Sequence, residues 1–287
     1  MKYLIESALL VHGIKNLDEQ TILHYWDSAD GQIVWMEAGE IVTGGIDRLL
    51  DFRGRMRANG QIPRRANHFN IDKYAEIGAD CVMTASGAMS VCAREGIPAA
   101  VTAGIGGFFP EILEEAEGIL WTRGDGPPDV ATLTGLNVVL VASGPKDMLD
   151  CPGTIRFLDE HGVHTYGASR NVYTGYLFVG EETCLSPLAG EGSAPGADCD
   201  SVRMKALSDA ARGRDASVLV INEIAEGKRM SDRRILDEAV EFALEEEKKG
   251  GYYHPAVNAK IEELTGGYSA RLQLAALAAN ARLAQKL

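Results

Sequence analysis

The chain has 287 residues, 46% of them hydrophobic and 24% charged, the make-up of a globular protein able to bury a core. Its 41 acidic and 28 basic side chains leave a net charge of −13, which disfavours nucleic-acid phosphates and anionic membranes as partners. The first apolar run is short and broken by Glu6, so no signal peptide is expected, and no stretch approaches the roughly 20 apolar residues of a transmembrane helix.

In chain order, Tyr3 to Val11 is strand-like but interrupted by Glu6 and Ser7. A carboxylate in such a run is either an edge residue facing solvent or a buried functional group. His12, beside Gly13, reads as a hydrogen-bonded structural histidine rather than a base. Asp18 to Trp26 predicts a helix and Gln32 to Met36 a strand, followed by a glycine-punctuated turn through Gly45. Asp47 to Ala58 predicts a helix with Leu49, Leu50 and Phe52 inward and its arginines solvated. Arg64 and Arg65 follow Pro63 in a loop, and a short helix covers Asn70 to Ile77.

From Asp80 the pattern is strand (Cys81 to Thr84), small-residue turn (Ala85 to Ala88), helix (Met89 to Glu95) and strand (Ala99 to Thr102), a βαβ unit with a right-handed crossover. A second unit starts at the apolar run Asn137 to Ser143, continues through a helix with Thr154 to Glu160, stops at Gly162 and ends in a strand from Val163 to Tyr166. Leu185 to Asp200 reads as a loop and Val218 to Ile221 as a buried strand. Ser231 is placed to cap a helix running to about Lys249, and Ala270 to Leu287 is an Ala/Leu-rich helix that packs on the sheet or on another subunit. Together these elements predict one α/β domain over 1–287, with a mostly parallel central sheet flanked by helices.

Three stretches carry candidate chemistry. Gly144 and Pro145 end an apolar strand and place Lys146 at a helix N-terminus, on the ligand side of an α/β sheet. There the helix dipole disfavours an ammonium, so Lys146 is either a covalent nucleophile or a solvated first-turn lysine. The loop Gly104-Ile105-Gly106-Gly107 follows a strand and suits an anion cradle; Phe109 stands where a dinucleotide fingerprint needs a small residue, so an NAD-type oxidoreductase is disfavoured. Asp125 and Asp129 lie in a stiff, turn-rich loop and serve either the turn's own backbone or a hard cation, Mg²⁺ or Mn²⁺. Five scattered cysteines, with no CxxC, fit reduced thiols in a cytoplasm and no zinc site.

Taken together and in order, these motifs resemble the pseudouridine-5'-phosphate glycosidase family, also called indigoidine synthase A-like. The family's E-[ST]-T-x-x-x-H-G strand appears as Glu6 to Gly13, and its T-G-G-x-G-G turn as Thr102 to Gly107. Its D-x-S-x-D loop appears as Asp125 to Asp129, its G-x-K-S-I-L-D signature as Gly144 to Asp150, and its C-terminal L-T-G-G as Leu264 to Gly267. The resemblance implies cleavage or formation of a C–C glycosidic bond between ribose 5-phosphate and uracil, through a ring-opened imine on a lysine.

Carried over by motif, Lys146 is the nucleophile, Glu6 the acid/base and Asp125 the ligand of one Mn²⁺ or Mg²⁺ per subunit. Substrate-binding positions fall on Arg65, Ala85, Thr102, Gly104, Gly106, Gly107 and Asp129, with Gln273 where the family has asparagine. A homotrimer is implied too. The chain departs from the family at Gly87-Ala88-Met89, at Pro127, and at Phe108-Phe109-Pro110 with the acidic stretch from Glu111 to Gly118; these changes remove donors or add negative charge near the expected ligand. The rival expectations are a paralogue acting on another C-nucleoside or sugar-derived substrate, and a catalytically silent sugar-phosphate-binding protein.

Overall fold

The computed structural model describes residues 1–26, 31–109, 128–188, 199–213, 217–250 and 253–287. Its main sheet holds Tyr3–Glu6 (β1), Gln32–Glu37 (β2), Glu40–Gly44 (β3), Arg64–Ala66 (β4), Cys81–Met83 (β5), Ala99–Val101 (β6), Val139–Ala142 (β7), His164–Gly167 (β8) and Val218–Ile221 (β11). Val172–Tyr173 (β9) and Thr183–Cys184 (β10) make a separate antiparallel pair. The order in the main sheet is β4-β5-β2-β1-β6-β7-β11-β8, with β3 on the far edge of β2.

Six strands, β2, β1, β6, β7, β11 and β8, run parallel. Their apolar side chains alternate between two cores: Ile5, Val139, Val141, Val218 and Val220 on one face, and Leu4, Leu140, Ala142, Leu219 and Ile221 on the other. Burial on both faces explains why β7 and β11 read as unbroken apolar runs. One core is closed by helices Glu19–Trp26 (α1), Ile46–Ala58 (α2), Arg234–Lys248 (α8), Tyr253–Leu264 (α9) and Tyr268–Lys286 (α10). Ile71–Glu76 (α3), Ala85–Arg94 (α4), Pro128–Gly135 (α5) and Cys151–Glu160 (α6) close the other. Cys199–Arg212 (α7) precedes β11.

β1 and β6 part the chain: β2, β5 and β4 follow on one side, β7, β11 and β8 on the other. Such a switch point opens a crevice beyond the strands' C-terminal ends, the usual ligand position in an α/β sheet. Glu6 ends β1 there. β1 covers β2 as far as Val34, and β5 takes over the same edge at Trp35. Ser7 ties this junction, its hydroxyl donating to Val34 O at 2.7 Å and accepting from Met83 N at 2.9 Å. The chain then turns away from the sheet into a π-helical turn at Leu9–Gly13, so the Tyr3 to Val11 strand stops at Glu6.

Several expectations are corrected here. β5 is antiparallel to β2 and so runs against β6, which pairs β1; β5-α4-β6 is therefore no βαβ unit and the crossover rule does not apply to it. β7-α6-β8 is parallel, with β11 inserted between its strands. The small residues Ala85 to Ala88 form the first turn of α4, capped by the Thr84 side chain, and a Cβ at Gly87 would meet Ala66 O at 2.6 Å. Arg65 lies in β4 rather than in a loop, and Glu40–Gly44 is a strand rather than a turn. Ser231 does not cap α8, whose start is flanked by Arg233. Asp129 sits in the first turn of α5, while Asp125 and the acidic stretch from Glu111 lie outside the described residues.

Lys146 is not in a helix first turn either. Residues after β7 pair with the loop after β6: Ile105 N donates to Gly144 O at 3.0 Å and Lys146 N to Ile105 O at 3.3 Å. Gly144 adopts φ +113°, and a Cβ there would lie 2.3 Å from Tyr173 Cε2, so this close passage needs glycine. A turn from Lys146 to Leu149 intervenes before α6, which starts at Cys151 with Asp150 as its cap.

Candidate active site

At the switch point a cavity of about 600 Å³ collects nearly all the residues singled out in the sequence. Glu6, Arg65, Ala85, Thr102, Gly104, Gly106, Asp129, Lys146 and Gln273 all line it. They arrive from the ends of β1, β4 and β6, the starts of α4 and α5, the loop after β7, and the body of α10. Gly107 does not line it; a Cβ there would meet Thr154 Oγ1 at 2.4 Å, so this glycine serves the packing of α6 against the loop.

Glu6 is buried, and its Oε2 accepts from Leu9 N at 3.0 Å in the π-helical turn that follows it. Thr102 Oγ1 donates to its other oxygen at 3.4 Å. Burial raises its pKa to about 6, against the lowering effects of the Leu9 N–H and the charges of Lys146 and Arg65. Lys146 is also enclosed. Burial lowers its amine to about 8, with Arg65 adding to the shift and Asp129 and Glu6 opposing it. The free amine thus comes within reach of neutral pH through desolvation and a neighbouring cation, not through a helix dipole.

The glycine loop departs from an open anion cradle. Asp129 Oδ2 accepts from Gly106 N at 2.8 Å and its Oδ1 from Ser86 N at 3.0 Å, so its own carboxylate occupies the donors of the loop and of the α4 N-terminus. Ile105 N and Phe108 N are engaged by Gly144 O and Thr154 Oγ1. Side-chain charge is the other attraction on offer to an external anion. Lys15, Arg53, Arg57, Arg65 and Lys146 line the cavity against the carboxylates of Glu6, Asp129 and Glu262. Arg53 is already held by the carbonyls of Leu10, Ile14, Lys15 and Leu17. The Arg65 guanidinium has no hydrogen bond or ion pair among the described residues, which leaves its charge open to a ligand.

Sequence reasoning missed two groups. Tyr176 is 1% exposed, lines the cavity over Gly104, and its hydroxyl has no hydrogen-bond partner among the described residues. Its loop is clamped by Asp147, which accepts from the backbone N–H groups of Tyr176, Leu177 and Phe178 at 2.8, 2.7 and 3.1 Å. His254, near the start of α9, brings Nε2 to 3.1 Å from Lys146 Nζ. One signal did exist: His254, Asn258 and Glu262 recur every four residues, a polar stripe beside Val257 and Ile261 on the same helix. His12 behaves as expected, its Nε2 bonded to Pro63 O at 3.0 Å. Among the described residues no cluster of three or more His, Cys, Asp or Glu side chains is arranged to hold a metal, and Asp125 falls outside them.

Comparisons with known proteins bear on the family and the fold. A pseudouridine-5'-phosphate glycosidase from Streptomyces griseus subsp. griseus is 24% identical over 288 residues, covering 99% of this chain and 85% of its own. One from Thermus thermophilus is 24% identical over 290 residues, covering 99% and 95%. An indigoidine synthase A-like protein from Thermotoga maritima superposes with a TM-score of 0.74 at 21% identity, covering 98% of this chain and 90% of its own. The prealnumycin C-glycosynthase AlnA, solved with ribulose 5-phosphate, does so with 0.73 at 20% identity, covering 99% and 89%; both superpositions show the fold. Residues 39–287 match the profile of the family described as indigoidine synthase A like protein, and the chain belongs to that family as a divergent member.

Proposed function

We propose that this protein is a lysine-dependent C-glycosidase that cleaves, or in reverse forms, the C–C glycosidic bond of a C-nucleoside such as pseudouridine 5'-phosphate. The observation that carries the proposal is the partly buried Lys146 amine, lowered to about 8, in one cavity with the buried carboxyl of Glu6. A C–C bond offers no basic leaving atom, so two-carboxylate glycosidase chemistry has nothing to protonate. An amine supplies the alternative. Lys146 Nζ adds to the anomeric carbon, the ring C–O bond breaks, and a proton from the nitrogen goes to the released ring oxygen. Glu6 then protonates the base at the bonded carbon. The C–C electron pair leaves with the base while the nitrogen lone pair forms the C=N bond. Water adds to the iminium carbon, its proton returning to Glu6, and collapse releases ribose 5-phosphate and the amine.

Arg65 supports a phosphorylated sugar, since its unpaired guanidinium at the cavity suits a phosphate. Thr102 and Gln273 offer a hydroxyl and an amide to the sugar or base; the Gln273 amide makes no hydrogen bond among the described residues. A divalent ion, Mn²⁺ or Mg²⁺, belongs to the proposal through Asp125 with water as its other ligands, and no step is routed through it. Homotrimeric assembly is expected on the same family grounds. Release of uracil from pseudouridine 5'-phosphate by wild-type protein and by Lys146→Ala tests the reading: wild type turns over and the variant does not, while both melt cooperatively. Equal turnover by the variant would remove Lys146 from the mechanism. Turnover of another C-nucleoside in place of this one would move the protein to the paralogue reading.

A further inference from the structure

We propose that His254 is a catalytic base that carries the proton of the Lys146 amine, a role that rests on Lys146 being the nucleophile. Its imidazole Nε2 lies 3.1 Å from Lys146 Nζ, the one hydrogen bond this amine makes among the described residues. Asn258, one turn along α9, points its Nδ2 at the same nitrogen from 3.4 Å. An amide N–H and an amine both present donors there, so Nε2 carries the lone pair and Nδ1 the ring proton.

The other proton acceptors near Lys146 are committed. Glu6 accepts from Leu9 and Thr102, and Asp129 from Ser86 and Gly106. Burial holds the imidazole well below its ordinary value, and the charges of Lys146 and Arg65 push the same way, so it stands neutral with its lone pair available.

The proton count closes. As Nζ bonds to the anomeric carbon, His254 takes one proton from the nitrogen and delivers it to the ring oxygen released by C–O cleavage. After water has added to the imine, His254 takes the hydroxyl proton of the carbinolamine and gives it to Nζ as the C–N bond breaks. The imidazole ends each turnover neutral.

The test is the rate of adduct formation between ribose 5-phosphate and Lys146, trapped with cyanoborohydride and located by peptide mass. Wild type, His254→Asn, His254→Gln, His254→Ala and Lys146→Ala are compared as intact chains. General-base catalysis predicts trapping slower by on the order of 10²–10⁴-fold in the three His254 variants. It also predicts partial recovery of His254→Ala with added imidazole. A wild-type rate in His254→Asn and His254→Gln overturns the proposal and leaves the nucleophile intact. Slow trapping that imidazole does not restore reduces His254 to positioning Lys146, which also overturns it. If wild type forms no adduct at Lys146, the nucleophile reading fails first and this proposal falls with it.

Discussion

Glu6 and Lys146 titrate on either side of neutrality because desolvation outweighs each one's attraction to the other's charge, raising the carboxyl to about 6 and lowering the amine to about 8. The productive state pairs a protonated Glu6 with an unprotonated Lys146. The amine gains its proton as pH falls below about 8 and the acid loses its own as pH rises above about 6, so the productive form is a minor one, level between these values and falling outside them; kcat/KM is bell-shaped with limbs near 6 and 8 that belong to the coupled pair. Glu6→Gln removes the proton donor: activity falls by on the order of 10²–10⁴-fold, and the residue of it rises with pH to a plateau above about 8. A retained alkaline limb in that variant would assign the acid elsewhere. Stability moves the other way. The raised carboxyl favours the folded state below its unfolded value of 4.5 and loses that advantage as pH rises through 6. Glu6→Gln is therefore more stable than wild type by about 2 kcal/mol at pH 8 and no more stable at pH 4. For Tyr176, whose hydroxyl is buried without a partner among the described residues, Tyr176→Phe leaves the melting temperature unchanged or higher. If the hydroxyl bonds the substrate, the same change raises KM about 5- to 10-fold, on the order of one hydrogen bond; an unchanged KM would take the hydroxyl out of the site.

At the scale of elements, the cavity rests on a junction that α10 closes from one face. Asn280 Nδ2 donates to Thr102 O at 2.8 Å and Ser143 Oγ at 3.1 Å, while its Oδ1 accepts from Asn222 Nδ2 at 3.0 Å. One fully buried amide thus ties the ends of β6, β7 and β11, from which the loops bearing Thr102 and Lys146 depart. Asn280→Ala leaves those groups unpaired in the core and lowers stability by about 2–3 kcal/mol in denaturant unfolding; a change under about 0.5 kcal/mol would mean the junction holds without it. The elements also show what the chain's local pattern carried. β7 and β11 were legible because burial on both faces leaves unbroken apolar runs rich in valine, Val139–Ala142 and Val218–Ile221. The reversal of β5 was not legible, since three residues say nothing of which edge they join. Nor was the π-helical turn whose Leu9 N–H holds Glu6. Glu6, Thr102 and Lys146 were found through motif order, but His254, 108 residues from its partner, carried only a faint polar stripe.

For the whole molecule, a net charge of −13 disfavours polyanions, while the cavity gathers five basic side chains against three carboxylates, a local balance that suits a small anion. No helix among the described residues is long and apolar enough to cross a membrane. Chelation followed by return of Mn²⁺ or Mg²⁺ tests the metal: activity falls and recovers, whereas full activity after chelation would exclude a required ion. The claim on which everything else rests is the covalent bond to Lys146. Borohydride reduction during turnover of pseudouridine 5'-phosphate, followed by peptide mass spectrometry, reads it directly. The account predicts a reduced pentose phosphate adduct on Lys146, absent without substrate and in Lys146→Ala. Turnover with no adduct on Lys146, or with the adduct on another residue, would contradict it.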